Sequence, residues 1–473
     1  MKIRFIEPGN RPYKKTLLNH LVYDRYIRTP SQGIITLATI LHQKYDDVRC
    51  YSESISEIVW DDVLDADIIF FSIFTFQAER GYKLADDIRS KTKARIVFGG
   101  LHATLNPEEA MAHADFVMRG EGDETILMVA EAIENGTDIR EIPGIVYRDG
   151  EKIVFGPKAI PPVQIDTVPD RSLMYRFKEA TIYNTIWPQV HASRGCPHNC
   201  AYCSLVAAFG RKVRCRSPQS VIEDIRQAID FFDSKYHRLS RVLWITDDNF
   251  FANREWAKSV LNAIIESGIK YHFTIQARYE VGFDDEMLDL LKKAGFFQLA
   301  MGIEFLEDEA FQMYQKKSTY SEIMRSVKNI QAHGIQVRGL FIFGADNHTV
   351  GIGKKLADFV VRNDIVGVLI QSMYFIPGTP VYETHKDRLI MPHLWSRSNG
   401  KVVHKPKQMN PMELQNEIID ASSRIYSFKR FVSAMLFRRG IDRTLFLGEC
   451  LWQYFVRKDL REDLPFLYQY CDN

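Results

Sequence analysis

Apolar and polar positions repeat along the first part of the chain with two periods. Short apolar runs predict strands over residues 2–6, 67–73, 95–98 and 116–118. Stretches with the 3.6-residue period predict helices over 33–43, 77–90 and 123–134, the first with Ile34, Leu37, Ala38 and Leu41 on one face. The run Ile68-Ile69-Phe70-Phe71 is continuously apolar, as in a strand covered on both faces. Strands alternating with helices predict an α/β, doubly wound parallel sheet over residues 1–135.

The rhythm changes over 136–186. Two short apolar runs flank Asp149-Gly150, a two-residue hairpin signal, and Pro157, Pro161, Pro162 and Pro169 follow. This predicts a hairpin and then a linker draped over the surface. Strand–helix alternation returns over 187–380, with strands expected at 189–192, 241–246, 272–276, 297–302, 336–343 and 367–374. Six units are too few for a closed eight-unit barrel of ~250 residues and fit a partial, open one. After Pro377-Gly378-Thr379-Pro380 the pattern is helical, so 381–473 reads as a helical region.

Charge changes the picture little: 61 Lys+Arg face 60 Asp+Glu, which excludes a strongly basic nucleic-acid wrapper and an acidic tail. With 46% hydrophobic residues the chain can bury large cores. Met1-Lys2-Ile3-Arg4 followed by Glu7 and Pro8 is no secretory signal, and no run reaches the ~20 apolar residues of a membrane span. A cytoplasmic location is the expectation. Seven cysteines, three of them between 196 and 203, are no disulfide framework and point to a reduced compartment with a metal site.

That site reads Cys196-Pro197-His198-Asn199-Cys200-Ala201-Tyr202-Cys203. Three thiolates in a tight loop can ligate three irons of a [4Fe–4S] cluster and leave the fourth open. Zinc held with His198 is the alternative, although no second short ligand hairpin exists. Cys50, Cys215, Cys450 and Cys471 are scattered and read as core or surface thiols. The C-x3-C-x2-C spacing, with Tyr202 before the last cysteine, resembles the radical S-adenosylmethionine (SAM) superfamily. The resemblance implies that methionine chelates the open iron and that the cluster reductively cleaves SAM to a 5′-deoxyadenosyl radical. It also implies an electron donor such as flavodoxin or ferredoxin. The following strand ends carry the implied SAM-binding residues. Asp247 or Asp248 would face the methionine ammonium, and Gln276 and Arg278 end the next strand, with the arginine near the carboxylate. Glu304 of Gly302-Ile303-Glu304 would bind the ribose, and Phe341 lies on the strand that packs on adenine. The bland alternative makes Asp248 or Asn249 the cap of the helix starting near Arg254.

In the first block Gly9-Asn10-Arg11-Pro12 is no G-x-G-x-x-G, so a nicotinamide fingerprint is absent. Ser72-Ile73-Phe74-Thr75 ends one strand and Gly99-Gly100 ends the next, 27 residues on from Ser72. This resembles the cobalamin-binding domain of methyltransferases and mutases. Gly33, Ser72, Thr75, Gly99, Gly100, His102 and Glu121 are the implied corrin-site residues, although acids in the Gly120–Thr125 turn also suit a helix start. Where the pattern has Asp-x-His-x-x-Gly, this chain reads Arg28-Thr29-Pro30-Ser31-Gln32-Gly33, so no imidazole from this motif lies below a cobalt. The rival reading is a retained shell without corrin, or one that holds substrate.

The helical pattern over 411–440 carries six Lys/Arg and one Asp between Arg424 and Arg443, with Phe428, Phe431 and Phe437 interleaved. The simpler reading is a helix that covers the open side of the barrel with its basic face in water. The other is contact with an anionic membrane surface or a lipid-like substrate. Together the blocks resemble the cobalamin-binding-domain radical SAM enzymes, with a layout near that of hopanoid methylases and the anaerobic cyclase of bacteriochlorophyll synthesis. The implied activity is cobalamin-dependent methyl transfer to an unactivated carbon of a hydrophobic or ring-containing small molecule. Radical cyclisation or carbon–carbon coupling without cobalamin is the alternative. A non-catalytic sensor or electron carrier fits poorly with SAM-type residues at successive strand ends. A methylthiotransferase acting on transfer RNA would need further cluster cysteines before Cys196, where only Cys50 stands.

Overall fold

A computed structural model describes residues 1–9, 30–180, 187–232, 241–398 and 400–471. Residues 10–29, which include Arg28 and Thr29, and the linker residues 181–186 lie outside them. The first sheet is built from β1 (Lys2–Glu7), β2 (Asp47–Ser52), β3 (Ile68–Ser72), β4 (Arg95–Gly99), β5 (Phe116–Met118), β6 (Ile145–Asp149) and β7 (Lys152–Phe155). Their order is β2-β1-β3-β4-β5-β6-β7, parallel through β5. β3 lies at the centre of the five parallel strands, and Ile68 to Phe71 are buried on both faces, as the unbroken apolar run predicts. The expected hairpin forms at Asp149-Gly150. It does not stand apart from the sheet but adds β6 and β7 to it, through antiparallel pairing of β5 with β6.

The second sheet is the expected open barrel of six parallel strands. They are β8 (Gln189–Val190) and, after the short ladder of β9 (Ser193–Arg194) with β10 (Arg214–Cys215), β11 (Val242–Ile245), β12 (His272–Ala277), β13 (Phe296–Glu304), β14 (Gln336–Phe343) and β15 (Gly367–Ser372). Sequential order from β8 to β15 leaves β15 as a free edge. An Asn410–Glu413 capping box starts the helix Pro411–Ile425, which packs on β15 and on the helix Ile352–Arg362.

The single helix expected over 411–440 is two. Tyr426 leaves helical geometry at φ −106°, ψ 44°, and the helix Phe428–Phe437 starts anew. The break has a tertiary cause: the Tyr426 hydroxyl accepts the N–H of Val368, 2.8 Å away on the edge strand. This satisfies a backbone donor that the open barrel leaves unpaired.

Residues 393–396 dock on the first unit. Glu109 accepts from Trp395 Nε1 at 2.8 Å and lies near His393 Nδ1 and His102 Nε2. Burial pushes the Glu109 carboxyl up, but these partners outweigh it and hold the group at about 2 rather than 4.5. A depressed folded pKa stabilises above the unfolded value. Glu109→Gln should therefore lower the melting temperature at neutral pH. The difference from wild type should shrink as pH falls through 4.5 and vanish near about 2. Parallel thermal melts over that range check it.

Candidate functional site

The three cysteines follow β9 directly. None is in a disulfide, and all are half-buried. Among the described residues no three His, Cys, Asp or Glu side chains are grouped as a single metal ion would require. The cluster is judged instead on donor chemistry, and the loop fits it. Burial raises the Cys196 thiol, and pushes Cys203 up to about 11, so both are protonated until a metal displaces the proton. Two polar donors approach the sulfurs: Asn249 Nδ2 is 3.7 Å from Cys196 Sγ, and Arg278 Nη1 is 3.9 Å from Cys200 Sγ. Such contacts stabilise thiolate and tune a cluster.

The loop is held from β11. Asp247 is buried, and its two oxygens accept from Ala192 N at 2.7 Å and Ser193 Oγ at 2.6 Å. Burial pushes its carboxyl up to about 7 in spite of these donors. Asp247 therefore braces the strand before the cysteines, and the ammonium assignment does not suit it. Asp248 accepts from Gly195 N at 2.8 Å and is otherwise exposed. Neither Asp248 nor Asn249 caps the next helix: Asn253 does, accepting from Trp256 N. That leaves both free for the site.

On β12, Gln276 is half-exposed between buried Ile275 and Ala277, so it points to the barrel interior. Arg278 pairs with Glu280 at 3.0 Å while it approaches Cys200. At the end of β13 a register irregularity falls between Gly302 and Glu304, and Glu304 takes φ +68°. A non-glycine residue there is strained, and such bulges re-aim side chains at functional sites. A Cβ on Gly302 would sit 2.6 Å from the Glu304 carboxylate, so the glycine makes room for it. Buried Lys316 donates to the Gly302 carbonyl and lies 3.6 Å from Glu304. Tyr202 packs edge-on against Phe305, with ring centroids 6.1 Å apart.

Phe341 does not face the barrel interior, contrary to the adenine-packing expectation. It is 2% exposed and lies edge-on to Phe359 of the helix Ile352–Arg362, outside the barrel. The interior face of β14 is the half-buried series Arg338, Leu340 and Ile342. Phe341 cannot meet a ligand inside.

In the first sheet the strand end at Gly99 is open: the glycine is half-exposed, and a Cβ on it would find nothing closer than 3.8 Å. Ser72 stands beside Gly99 in register. Among the described residues, buried Thr75 Oγ1, just past the end of β3, and Gln32 Oε1, at the start of the helix Gln32–His42, have no partner. Gly33, in the first turn of the helix Gln32–His42, is half-exposed. The orphaned Thr75 hydroxyl, three residues past Ser72, together with the open Gly99 backbone fits a large polar-edged ligand such as a corrin. Two residues of the expected set lie elsewhere. His102 is 0% exposed and bridges Glu109 and Asn106 against Trp395. Glu121 forms ion pairs with Arg194 at 3.1 Å and Arg214 at 2.6 Å across the junction, joined by Asp123 to Arg194 at 2.8 Å. Both are structural contacts.

The two strand-end faces meet. The helix Gly100–Leu105, which begins at the glycine pair, lies against the helix Ser204–Phe209, which begins at the last cysteine. Sequence reasoning missed the Arg194 and Arg214 bridges and Lys316; no local spacing signals contacts between residues so far apart.

Comparison with known proteins agrees with this geometry. Residues 190–360 match the Radical SAM superfamily, and residues 28–130 match the B12 binding domain. Bacteriochlorophyllide d C-12(1)-methyltransferase of Chlorobaculum tepidum is 25% identical over 85% of this chain and 84% of that one. Hopanoid C-2 methylase of Rhodopseudomonas palustris is 24% identical over 79% and 66%. The anaerobic magnesium-protoporphyrin IX monomethyl ester cyclase of Cereibacter sphaeroides is 25% identical over 82% and 64%. Among solved structures, the radical SAM methyltransferase TsrM of Kitasatospora setae, with cobalamin and a [4Fe-4S] cluster, superposes with TM-score 0.71 at 16% identity, covering 98% of this chain and 100% of that one.

Proposed function

Because this chain belongs to the radical SAM superfamily and carries a B12-binding domain, we propose that it transfers a methyl group to an unactivated carbon of a hydrophobic or ring-containing small molecule. The observation that supports the reading is the contact between the helix Gly100–Leu105 and the helix Ser204–Phe209, which brings the glycine-pair end of the first sheet against the cysteine loop. Relatives that methylate bacteriochlorophyllide and hopanoid support the reaction and substrate class. When bound, the cluster with SAM supplies hydrogen abstraction, and the corrin supplies the methyl group.

Cys196, Cys200 and Cys203 would hold the cluster, with Asn249 and Arg278 donating toward its sulfurs. Asp248 would pair with the methionine ammonium, and Asp247 would position the loop. Gln276 would line the barrel beside Arg278, Tyr202 would pack below the loop, and Leu340 and Ile342 would take the adenine contact expected of Phe341. Ser72, Thr75, Gly33 and Gly99 would hold the corrin. A flavodoxin- or ferredoxin-type donor would supply the electron. No helix among the described residues is long and apolar enough to cross a membrane; a cytoplasmic location is part of the proposal.

The test is product analysis with anaerobically reconstituted protein, reductant, cobalamin and candidate ring substrates. Methyl transfer consumes two SAM molecules and gives 5′-deoxyadenosine together with S-adenosylhomocysteine. The cyclisation or coupling alternative gives 5′-deoxyadenosine alone and no corrin absorption in the bound state.

Glu304 is assigned to the ribose hydroxyls. Glu304→Gln keeps the shape and removes the charge, which should cost about 2 kcal/mol, or roughly thirtyfold in SAM affinity. Calorimetric titration of the variant checks this; unchanged affinity would reassign the strained carboxylate to another partner.

A further inference from the structure

The helix Phe428–Phe437 is amphipathic the wrong way round for a globular domain. Phe428, Val432, Met435 and Leu436 fall at i, i+4, i+7 and i+8, one face of a helix. That face is turned to solvent, with Phe428 80% and Leu436 69% exposed; the terminal Phe437, on the other side of the helix, is 79% exposed as well. Ala434 is its one buried residue. The inward side carries Phe431 and Ala434 against the core together with two cations: Arg430 and Arg438 lie over the Phe446 ring, 5.3 and 4.6 Å from its centroid, and Arg438 pairs with Asp442. The helix is thus anchored by guanidinium–aromatic contact and displays its apolar stripe. Contiguous exposed apolar surface of this kind marks an interaction site.

Charge selects the partner. From Ala421 to Ile441 there is no acidic residue. Lys429, Arg439 and Arg443 are exposed and, among the described residues, have no acidic partner. Aromatic side chains between unpaired cations match a bilayer interface, where rings enter the acyl boundary and cations meet anionic headgroups. The break at Tyr426 explains why the stripe is displayed. Before it, the helix Pro411–Ile425 spends its apolar face on the barrel; after it, the chain is released from that register.

The geometry points to the helix Phe428–Phe437 as a peripheral anchor that docks the protein on an anionic lipid bilayer. It is independent of the reaction proposed above. A membrane surface also holds hydrophobic molecules at high local concentration, and the two ideas fail separately.

The experiment is vesicle co-sedimentation of the full-length, cluster-reconstituted protein. Vesicles of phosphatidylcholine alone are compared with an equimolar mixture of phosphatidylcholine and phosphatidylglycerol. Wild type should pellet with the mixed vesicles and not with phosphatidylcholine alone. Binding should weaken as salt shortens the screening length from about 10 Å at 0.1 M to about 3 Å at 1 M. Phe428→Ser with Phe437→Ser, and separately Lys429→Glu with Arg439→Glu, should each cut the partition at least tenfold. Melting temperature and SAM cleavage in vesicle-free buffer should hold, because all four side chains are exposed. Equal pelleting with both vesicle types, no pelleting, or an unchanged partition in either variant overturns the proposal. So does sedimentation equilibrium showing a dimer that the phenylalanine variant dissociates, since the stripe would then be an interface between copies.

Discussion

Replacing Cys196, Cys200 or Cys203 by alanine should abolish cluster assembly and SAM cleavage together, while the fold survives. The expectation rests on three features of the loop. The thiols are free and half-buried, on a segment held by other residues: Asp247 binds Ala192 and Ser193, and Asp248 binds Gly195. The loop therefore stays in place when one sulfur is lost. Each thiolate closes one corner of the cluster, so two cannot replace three. Iron and sulfide content of the anaerobically reconstituted variants, with 5′-deoxyadenosine formation, reads the first part. The melting temperature of the protein before reconstitution reads the second. The same assay decides between cluster and zinc. Stoichiometric zinc without iron in the wild type would favour a Cys–His site completed by His198, and Cys196→Ala would then leave iron unchanged at zero.

Asp247→Asn should separate the bracing role from direct binding. The amide keeps an acceptor for one of the two donors at Ala192 and Ser193 and loses the other. Cluster content should fall with the melting temperature. If Asp247 instead met the ammonium, SAM affinity would fall with cluster content and stability intact.

The cysteine loop was legible because its chemistry is local: spacing along the chain decides which sulfurs can share a cluster. The Ile68–Phe71 run was legible because burial on both faces writes itself into consecutive residues, and the strand at 336–343 because its buried positions alternate. β2 was not. It is an edge strand, and Asp47 and Arg49 occupy its exposed positions, so neither unbroken apolarity nor clean alternation marks it. Period two divides β14 into two faces without saying which one is interior. Phe341 belongs to the outer one and cannot reach a ligand inside. Asp247 and Asp248 are neighbours, one buried on Ala192 and Ser193 and the other exposed beside Gly195, and only the β8–β11 pairing tells them apart. The helix break at Tyr426 depends on one N–H on a strand 58 residues away. Helical periodicity continues through the break, so the pattern gives no warning.

Gly99 and Gly100 are adjacent in the sequence motif, yet their substitution should have different consequences. Gly100 has φ +89°, and a Cβ there would lie 2.8 Å from Ile73 N, 2.9 Å from Ile73 O and 3.0 Å from Ser72 Oγ. The first two are backbone atoms of the chain leaving β3 and cannot move without disturbing the central strand. His102 N also donates to Ile73 O, which fixes this crossing further. Gly100→Val should cost about 3 kcal/mol from left-handed strain and overpacking together. For a unit of this size that lowers the melting temperature by roughly 6–12 °C. Loss of corrin in this variant would follow from the damaged fold and says little about contact. Gly99 is the cleaner probe. Its backbone, at φ −143°, is open to any residue, and a Cβ would find only carbonyls at 3.8 and 3.9 Å. Gly99→Ala should melt at or slightly above wild type, because alanine narrows the unfolded ensemble by about 0.4–1 kcal/mol. If the strand end cradles a corrin, the added methyl occupies ligand space, and cobalamin affinity should fall at least tenfold, about 1.4 kcal/mol. Titration of the reconstituted variant with hydroxocobalamin, read by absorbance, measures this beside the melt. Wild-type affinity in Gly99→Ala would remove this glycine from the cradle, and an unchanged melt in Gly100→Val would overturn the packing at Ile73.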